Sequence, residues 1–195
     1  MIHPPGNAPS RPIPVRLMMA ANGPKGIEVA RHCDGLIYGG PLDAVPSDFR
    51  RMQLPLNGIA LEPGEPPTSE RVLEAARMLF TLRYHLSYDG FSPTALEQIP
   101  GGSDWLDTIR AFPESIRHLK VHDRHTVEVS RHDYELSERH RPDLEAFAAA
   151  IAVTPDQLRA RLDQLAEMGA TRVMGPSIRP DWERGLRSFA PILPG

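Results

Sequence analysis

A glycine-bearing turn near the start of the chain has the residues that could hold a phosphate group. Gly23 and Gly26 enclose Pro24 and Lys25 directly before a predicted short helix. Glycines let the backbone approach a ligand, and the first N–H groups of a helix lack partners within it, so such a turn attracts anions. Lys25 adds a cation. The same spacing equally fits a tight turn without a ligand, and it matches neither the Walker A loop nor the GxGxxG pattern.

A histidine-rich segment is the second place where chemistry is conceivable. It contains His118, His122, Asp123 and His125. On a helix the first two histidines would share a face, as zinc ligands do. The apolar residues between them fit a strand as well and HExxH does not occur, so the sequence favours surface or pocket-lining histidines and predicts no metal site. His85, at a predicted helix end, indicates a contact with the helix dipole more than a catalytic role.

The other reactive residue types indicate packing rather than catalysis. Cys33 is the single cysteine, which excludes an intrachain disulfide, and it lies on a predicted apolar helix face. Asp34 precedes Gly35 and is typical of a turn. No serine lies in GxSxG, which disfavours a serine hydrolase. The sequence therefore identifies no catalytic residue.

Two strands must position the glycine turn. Residues 14–20 form a compact apolar run that predicts a strand buried on both faces, and residues 36–38 predict a second strand. Between them, Gly23 as N-cap and Pro24 as first helical residue open a helix. This order is a βαβ unit, so the two strands should be parallel. The helix residues predicted to face the sheet are Ile27, Ala30 and Cys33.

The rest of the chain predicts an α/β fold interrupted by loops. A capping box at Thr154–Gln157 opens a helix with a leucine stripe that ends near Gly169. The strand and helix order at both ends of the chain indicates a parallel sheet. Between the two ends, the sequence predicts a broken connection over 41–55, a strand over 56–61, a helix over 71–84 closed by residues 87–93, and short helical pieces over 93–113. It then predicts a strand at 118–121, a second apolar alternation at 126–129 and a solvated charged segment over 130–145. The last predicted elements are a strand over 171–174 and a helix over 181–190 with Trp182, Leu186 and Phe189 on one face.

The composition and charge of the chain argue against several classes of protein. The 195 residues are 41% hydrophobic, enough for one domain with a core, here a proline-rich arm over 1–13 and a single α/β domain over 14–195. A formal net charge of −3 predicts no general attraction to nucleic acid. No apolar run approaches the ~20 residues of a membrane helix, and the N-terminus lacks the pattern of a secretory signal. With one cysteine, we expect a cytoplasmic protein without membrane partners.

The order of these segments resembles the luciferase-like monooxygenase family, the flavin- or deazaflavin-dependent oxidoreductases of the bacterial-luciferase type. The resemblance covers nearly all of residues 12–190 and rests on the order and spacing of several motifs. The segments that carry it are PIPVRLMMAANGPKGIEVARHCDGLIYGG, GIALEPGEPPTSERVLEAA, RYHLSYDG, Pro-Gly-Gly-x-x-Trp at 100–105, PESIRHLKVHDRH and TPDQLRARLDQLAEMGATRVM.

The resemblance implies a fold and a cofactor. Family members are TIM barrels with a large late insertion, and this chain looks like the C-terminal half alone. The implied fold is thus a half TIM barrel of parallel strands and flanking helices, with an insertion at about residues 62–150. The implied cofactor is FMN or the deazaflavin coenzyme (factor 420), and the Asn-Gly-Pro-Lys-Gly variant leans toward the deazaflavin. The cofactor's phosphate-bearing chain would lie beside Ala20, Ala21, Asn22, Gly23, Pro24, Lys25 and Gly26, with Leu36, Ile37, Tyr38 and Gly39 lining the same pocket.

Three functions are consistent with these features. The first is a luciferase-like oxidoreductase that moves a hydride to or from a small organic substrate, or monooxygenates it. The second is a non-catalytic half-barrel, or a subunit of a split or dimeric assembly. In that case a homo-oligomer or a partner chain supplies the missing half. The third is an unrelated module that binds phosphorylated ligands through the same turn.

Overall fold

The computed structural model describes residues 15–90, 93–124, 127–175 and 182–190. The chain divides into two compact units. We call Met1–Leu56 with Leu162–Met174 the sheet unit, and Asn57–Arg161 with Gly175–Gly195 the helical unit. The described residues form an α/β fold with a small parallel sheet, which confirms the α/β class predicted from the sequence. No helix among them has the length and apolar character needed to cross a membrane.

The sheet unit is built around a four-stranded parallel sheet. Its elements are β1 (Met18–Ala21), α1 (Pro24–Ala30), β2 (Gly35–Tyr38), β3 (Met52–Pro55), β6 (Arg172–Met174) and the final part of α8 (Pro155–Glu167). The strand order is β1-β2-β3-β6, and all three strand pairs are parallel. The predicted βαβ unit is therefore confirmed, with Gly23 as N-cap and Pro24 in the first helical turn. Leu36, Met52 and Leu54 form the buried centre of the sheet.

The first strand differs from its prediction. It begins at Met18, and the two preceding apolar side chains are largely exposed, Val15 at 74% and Leu17 at 64%. In the described sheet β1 pairs with β2 alone, so it lies at an end of the sheet and not in its middle. The prediction of a strand over 14–20 buried on both faces is therefore wrong, and residue 14 lies outside the described residues. Cys33 follows the end of α1 and is half-buried in a turn, not on the helix.

A strand occupies part of the segment that was predicted to be a broken connection. β3 lies between β2 and β6, and its side chains alternate between buried Met52 and Leu54 and half-buried Gln53 and Pro55. This alternation fits a strand, but the prolines and arginines on either side obscure it in the sequence. The strand prediction over 171–174 is confirmed as β6.

The helical unit packs mainly helix on helix. Its elements are β4 (Ile59–Ala60), α2 (Glu70–Gly90), α3 (Pro93–Glu97), α4 (Gly102–Arg110), α5 (Arg117–Val121), α6 (Arg131–Arg139), α7 (Arg141–Ile151), β5 (Ala152–Val153), the first part of α8 and α9 (Trp182–Phe189). β4 and β5 pair in parallel. α2 is the central helix and contacts α3, α6 and α7. The buried centre of the unit includes Leu73, Phe80, Tyr84, Trp105 and Leu136.

Several boundaries in this unit differ from those predicted. α2 extends to Gly90, because Ser87 is buried and packing continues past the polar residues that were expected to close the helix. Residues 118–121 are helical and not a strand. Residues 127–129 form no strand, and residue 126 lies outside the described residues. The charged segment 130–145, which was predicted to be solvated, is helical and buries Leu136 and Leu144. In α9, Leu186 is exposed and Phe189 is half-buried, and the side chain of Trp182 lies outside the described residues.

The capping box that opens α8 is confirmed atom by atom. The Gln157 N–H donates to Thr154 Oγ1 at 3.2 Å, and the Thr154 N–H donates to Gln157 Oε1 at 2.9 Å. Each side chain therefore satisfies a backbone donor that the helix leaves without a partner. Gly169, just beyond the helix, has a φ of +90°, as expected of a glycine in this position.

We expect Thr154→Ala to lower the free energy of unfolding by about 1 kcal/mol, because it removes the cap acceptor. Thr154→Ser keeps the hydroxyl and should stay within about 0.5 kcal/mol of the wild type. Urea denaturation followed by circular dichroism measures both. Equal losses in the two variants would show that the cap does not stabilise the protein.

Candidate functional site

The glycine turn lies where two parallel strands end. Ala21 of β1 pairs with Tyr38 of β2, so the turn after β1 begins beside Gly39. A Cβ atom placed on Gly23 or on Gly39 would meet no atom within 4 Å. The two glycines therefore leave a strip of bare backbone beside open space. Ligands of parallel α/β sheets bind at this carboxyl edge.

Packing explains the presence of glycine at only one of the two glycine positions of the turn. A Cβ on Gly26 would lie 2.9 Å from Ala21 Cβ, so the first turn of α1 packs too closely on β1 for any larger residue. Gly23 has extended backbone angles, φ −122° and ψ 162°, and open space around it. Any residue could adopt this conformation. Close packing thus accounts for Gly26, whereas neither the backbone nor packing requires glycine at position 23.

The charged and polar side chains of the turn form no ion pair with the acids of the described residues. Asn22 and Lys25 are both exposed, and in the described part of the chain neither side chain forms a hydrogen bond or ion pair. α1 has only seven residues, so its dipole is small. An anion at this edge would therefore be held by the Lys25 ammonium and by nearby backbone N–H groups. Ala20 and Pro24 are exposed as well, and Ala21 is half-buried.

The residues of β2 are divided between the core and this edge. Leu36 and Tyr38 are buried. The Tyr38 hydroxyl lies 3.2 Å from the carbonyl oxygen of Pro41 and 3.1 Å from that of Ala44, so it is used within the fold. Ile37 is half-buried on the opposite face, and Gly39 is exposed. The structure thus brings the turn and Gly39 together, while the side chains of Leu36 and Tyr38 serve the core.

A buried carboxylate in the helical unit accepts hydrogen bonds from side chains on several elements. Asp133 of α6 is 1% exposed. Its oxygens accept hydrogen bonds from Trp105 Nε1 at 2.8 Å and Ser130 Oγ at 2.7 Å, and one lies 3.1 Å from His85 Nε2. The Asp133 N–H donates in turn to Ser130 Oγ, the N-cap of α6. One carboxylate therefore joins α2, α4 and α6.

The electrostatics of this cluster favour the ionised acid. Burial alone would raise the pKa of Asp133, but the hydrogen bond and charge of His85, with the hydrogen bond from Ser130, outweigh it and hold the pKa below its usual range. His132, whose ring lies 3.2 Å from Ser130 Oγ, is half-buried, and burial lowers its pKa. Ser130 contacts the carboxylate and not His85, so the order of groups is not that of a Ser-His-Asp triad.

Sequence reasoning missed this cluster for two reasons. His85 was assigned to a helix end, but α2 continues beyond it and buries it. Asp133 lies in a segment whose charges indicated a solvated surface. The available signal was Ser130-x-x-Asp133, a capping pair that marks a helix start.

The histidine segment does not come together as a metal centre in the described residues. His118 and His122 are exposed, and His122 Nε2 lies 3.1 Å from a carboxylate oxygen of Asp89. His125 lies outside the described residues. Within the described ranges, no group of three or more His, Cys, Asp or Glu side chains is placed to hold a metal ion.

Comparisons with known proteins give no relative. No protein-family model matches the chain, and neither a curated protein nor a solved structure does so.

The buried acid yields a stability prediction. Asp133→Asn keeps the shape but removes the charge and turns an NH2 group toward a cluster of donors. We expect it to lower the free energy of unfolding by roughly 3 kcal/mol, the usual cost of breaking a buried ion pair. Asp107→Asn, at a side chain 78% exposed, is the control and should change it by less than about 0.5 kcal/mol. Urea denaturation at neutral pH measures both, and similar effects would contradict the role given to Asp133.

Comparison of the wild type with Asp133→Asn also tests how the free energy of unfolding depends on pH. Because the pKa of Asp133 is lower in the folded state, its contribution is present above the unfolded pKa of about 4 and is lost as pH falls through the folded value. The wild type should therefore lose stability below about pH 4 more steeply than Asp133→Asn. Glu65, whose pKa the Arg71 hydrogen bond lowers to about 2, adds the same slope to both proteins. Parallel curves would contradict the assignment.

Proposed function

We propose that this chain is the cofactor-binding C-terminal half-barrel of a luciferase-like oxidoreductase. The observation that carries the proposal is the strip of open backbone at Gly23 and Gly39, at the carboxyl edge of two adjacent parallel strands. Lys25, which forms no ion pair with any described residue, lies next to it. A phosphate group fits this edge because backbone N–H groups and a lysine are its usual partners. The sequence resemblance, which includes this turn, is consistent with the same assignment.

The roles of the residues follow from their positions. Lys25, the Asn22 amide and the backbone around Gly23 would hold the phosphate of FMN or of the deazaflavin coenzyme, with the deazaflavin favoured. The bound cofactor supplies hydride transfer or oxygen chemistry toward a small organic substrate. The protein contributes binding and orientation. The proposal includes the cytoplasmic location predicted from the sequence.

The strand order supports a half-barrel. β1, β2 and β3 are neighbours both in sequence and in space, and β6 continues the same parallel series. Consecutive parallel strands joined by helices or loops are the repeating pattern of a (β/α)8 barrel. An open doubly wound sheet instead reverses its strand order at a switch point.

Assembly with a second half is the other candidate function, and the ends of the sheet favour it. In the described residues β1 and β6 each have one neighbouring strand. All three residues of β6 are exposed, including Val173 at 41% and Met174 at 46%. Exposed apolar residues on terminal strands favour pairing with another chain. A second copy of the chain, or a partner chain, would then complete the barrel with or without a cofactor.

Two substitutions at one position test the phosphate site. Gly23→Asp and Gly23→Asn both suit an N-cap, so both should fold as well as the wild type. The aspartate places a negative charge in the open space, and we expect it to weaken FMN and deazaflavin binding by about tenfold or more relative to the asparagine. Titration by cofactor fluorescence measures the affinities.

The two lysines of the chain provide a matched control. Lys25→Ala should weaken cofactor binding by about tenfold, whereas Lys120→Ala, which removes a partner of Asp123, should leave it unchanged. Absence of binding by wild type to both cofactors would contradict the proposal. Binding of inorganic phosphate and simple phosphorylated compounds, without either cofactor, would favour the phosphate module instead.

Size measurement tests the assembly. We expect the wild type to elute as a dimer or larger in size-exclusion chromatography with light scattering, because its terminal strands expose apolar residues. Val173→Lys on β6 should shift the protein toward the monomer, whereas Val127→Lys, exposed in the helical unit, should not. A wild type that stays monomeric at all concentrations would contradict self-assembly.

A further inference from the structure

The helical unit contains a cavity with both apolar and polar walls. It has a volume of about 400 Å³ and is lined by Tyr88, Leu96, Leu106, Arg110 and Arg117. Leu96 and Leu106 are buried, and the Tyr88 ring packs edge-on against Trp105 with the ring centroids 5.8 Å apart. A cavity of this size holds one small organic molecule, and the leucines would contact its apolar part.

The two arginines of the cavity carry charge that nearby acids do not balance. Arg117 donates from Nε to the Phe112 carbonyl and from Nη2 to the Arg110 carbonyl, both at 2.9 Å. These bonds fix the guanidinium but do not neutralise it, and no carboxylate in the described ranges forms an ion pair with it. Arg110 has one acidic neighbour there, Asp107, at 3.7 Å, and both side chains are more than half exposed. Such a contact contributes little.

We propose that this cavity binds a small organic carboxylate with an aromatic or branched apolar body. A planar guanidinium matches a carboxylate through paired hydrogen bonds. The Tyr88 hydroxyl, which has no hydrogen bond among the described residues, can donate a further one. A bare inorganic anion would leave the leucine walls unused, and a neutral apolar molecule would leave Arg117 without a counter-charge from any described residue.

This inference does not rest on the proposed cofactor function. The cavity belongs to the helical unit, whereas the phosphate turn belongs to the sheet unit. Arg110→Gln is the decisive variant because Arg110 is exposed and makes no close side-chain bond, so the fold should tolerate the change. Arg139→Gln is the matched control, since Arg139 is exposed and its side chain has no bond or ion pair among the described residues.

The experiment is isothermal titration of the full chain with naphthoate and with its neutral counterpart, naphthylmethanol. We expect saturable binding of naphthoate that is about tenfold or more tighter than that of the alcohol and that weakens with added salt. Arg110→Gln should weaken naphthoate binding by about tenfold, Arg110→Lys by less, and Arg139→Gln not at all. Thermal unfolding checks that each variant folds.

Several results would overturn the inference. These are no saturable naphthoate binding, equal affinity for acid and alcohol, or the same loss in Arg110→Gln and Arg139→Gln. If Gly23→Asp abolishes naphthoate binding while Arg110→Gln leaves it intact, the anion binds at the glycine turn and the cavity assignment is wrong. Failure of cofactor binding with intact naphthoate binding would reject the proposed function and leave this site standing.

Discussion

The helical unit depends on the hydrogen bonds to one buried carboxylate. A charge removed from water is strongly unfavourable unless donors surround it. Asp133 has such donors from three helices: His85 on α2, Trp105 on α4, and Ser130 at the start of α6. A shift of any one of these helices along its axis would remove a donor from the buried charge, so this contact restrains their relative positions more strictly than apolar packing alone.

A buried cation, Arg77, also joins two of these helices, α2 and α6. Arg77 of α2 is fully buried. Its guanidinium bonds Glu74 on its own helix and Glu138 on α6, and it lies 4.1 Å from the centre of the Tyr134 ring. Tyr88 lies one turn beyond His85 on α2, and Leu106 follows Trp105 on α4. The buried charges that fix these helices therefore also fix two residues that line the cavity of the helical unit.

Local interactions were predictable from the sequence, and distant ones were not. The βαβ unit, Pro24 at the start of α1 and the Thr154 capping box depend on residues that are close in sequence, and all three are confirmed. β3 and the extent of α2 depend on partners far along the chain, which composition does not reveal. Asp133 is the clearest case: in the sequence it is one charge among many, and only the fold places three donors around it.

The two proposed anion sites differ in the chemistry of their cations, and the proposals give them different ligands for that reason. Lys25 ends in a compact ammonium on a flexible stem, beside bare polar backbone, a combination that suits a small, fully polar anion such as a phosphate group. Arg110 and Arg117 end in planar forks beside leucine walls, which suit a flat carboxylate attached to an apolar body. Neither ligand would satisfy the other site: a phosphate gains nothing from leucine, and an aromatic body finds no apolar wall at a glycine turn. If both proposals hold, the pairing of cation type with wall polarity, more than positive charge itself, determines which anion each site selects.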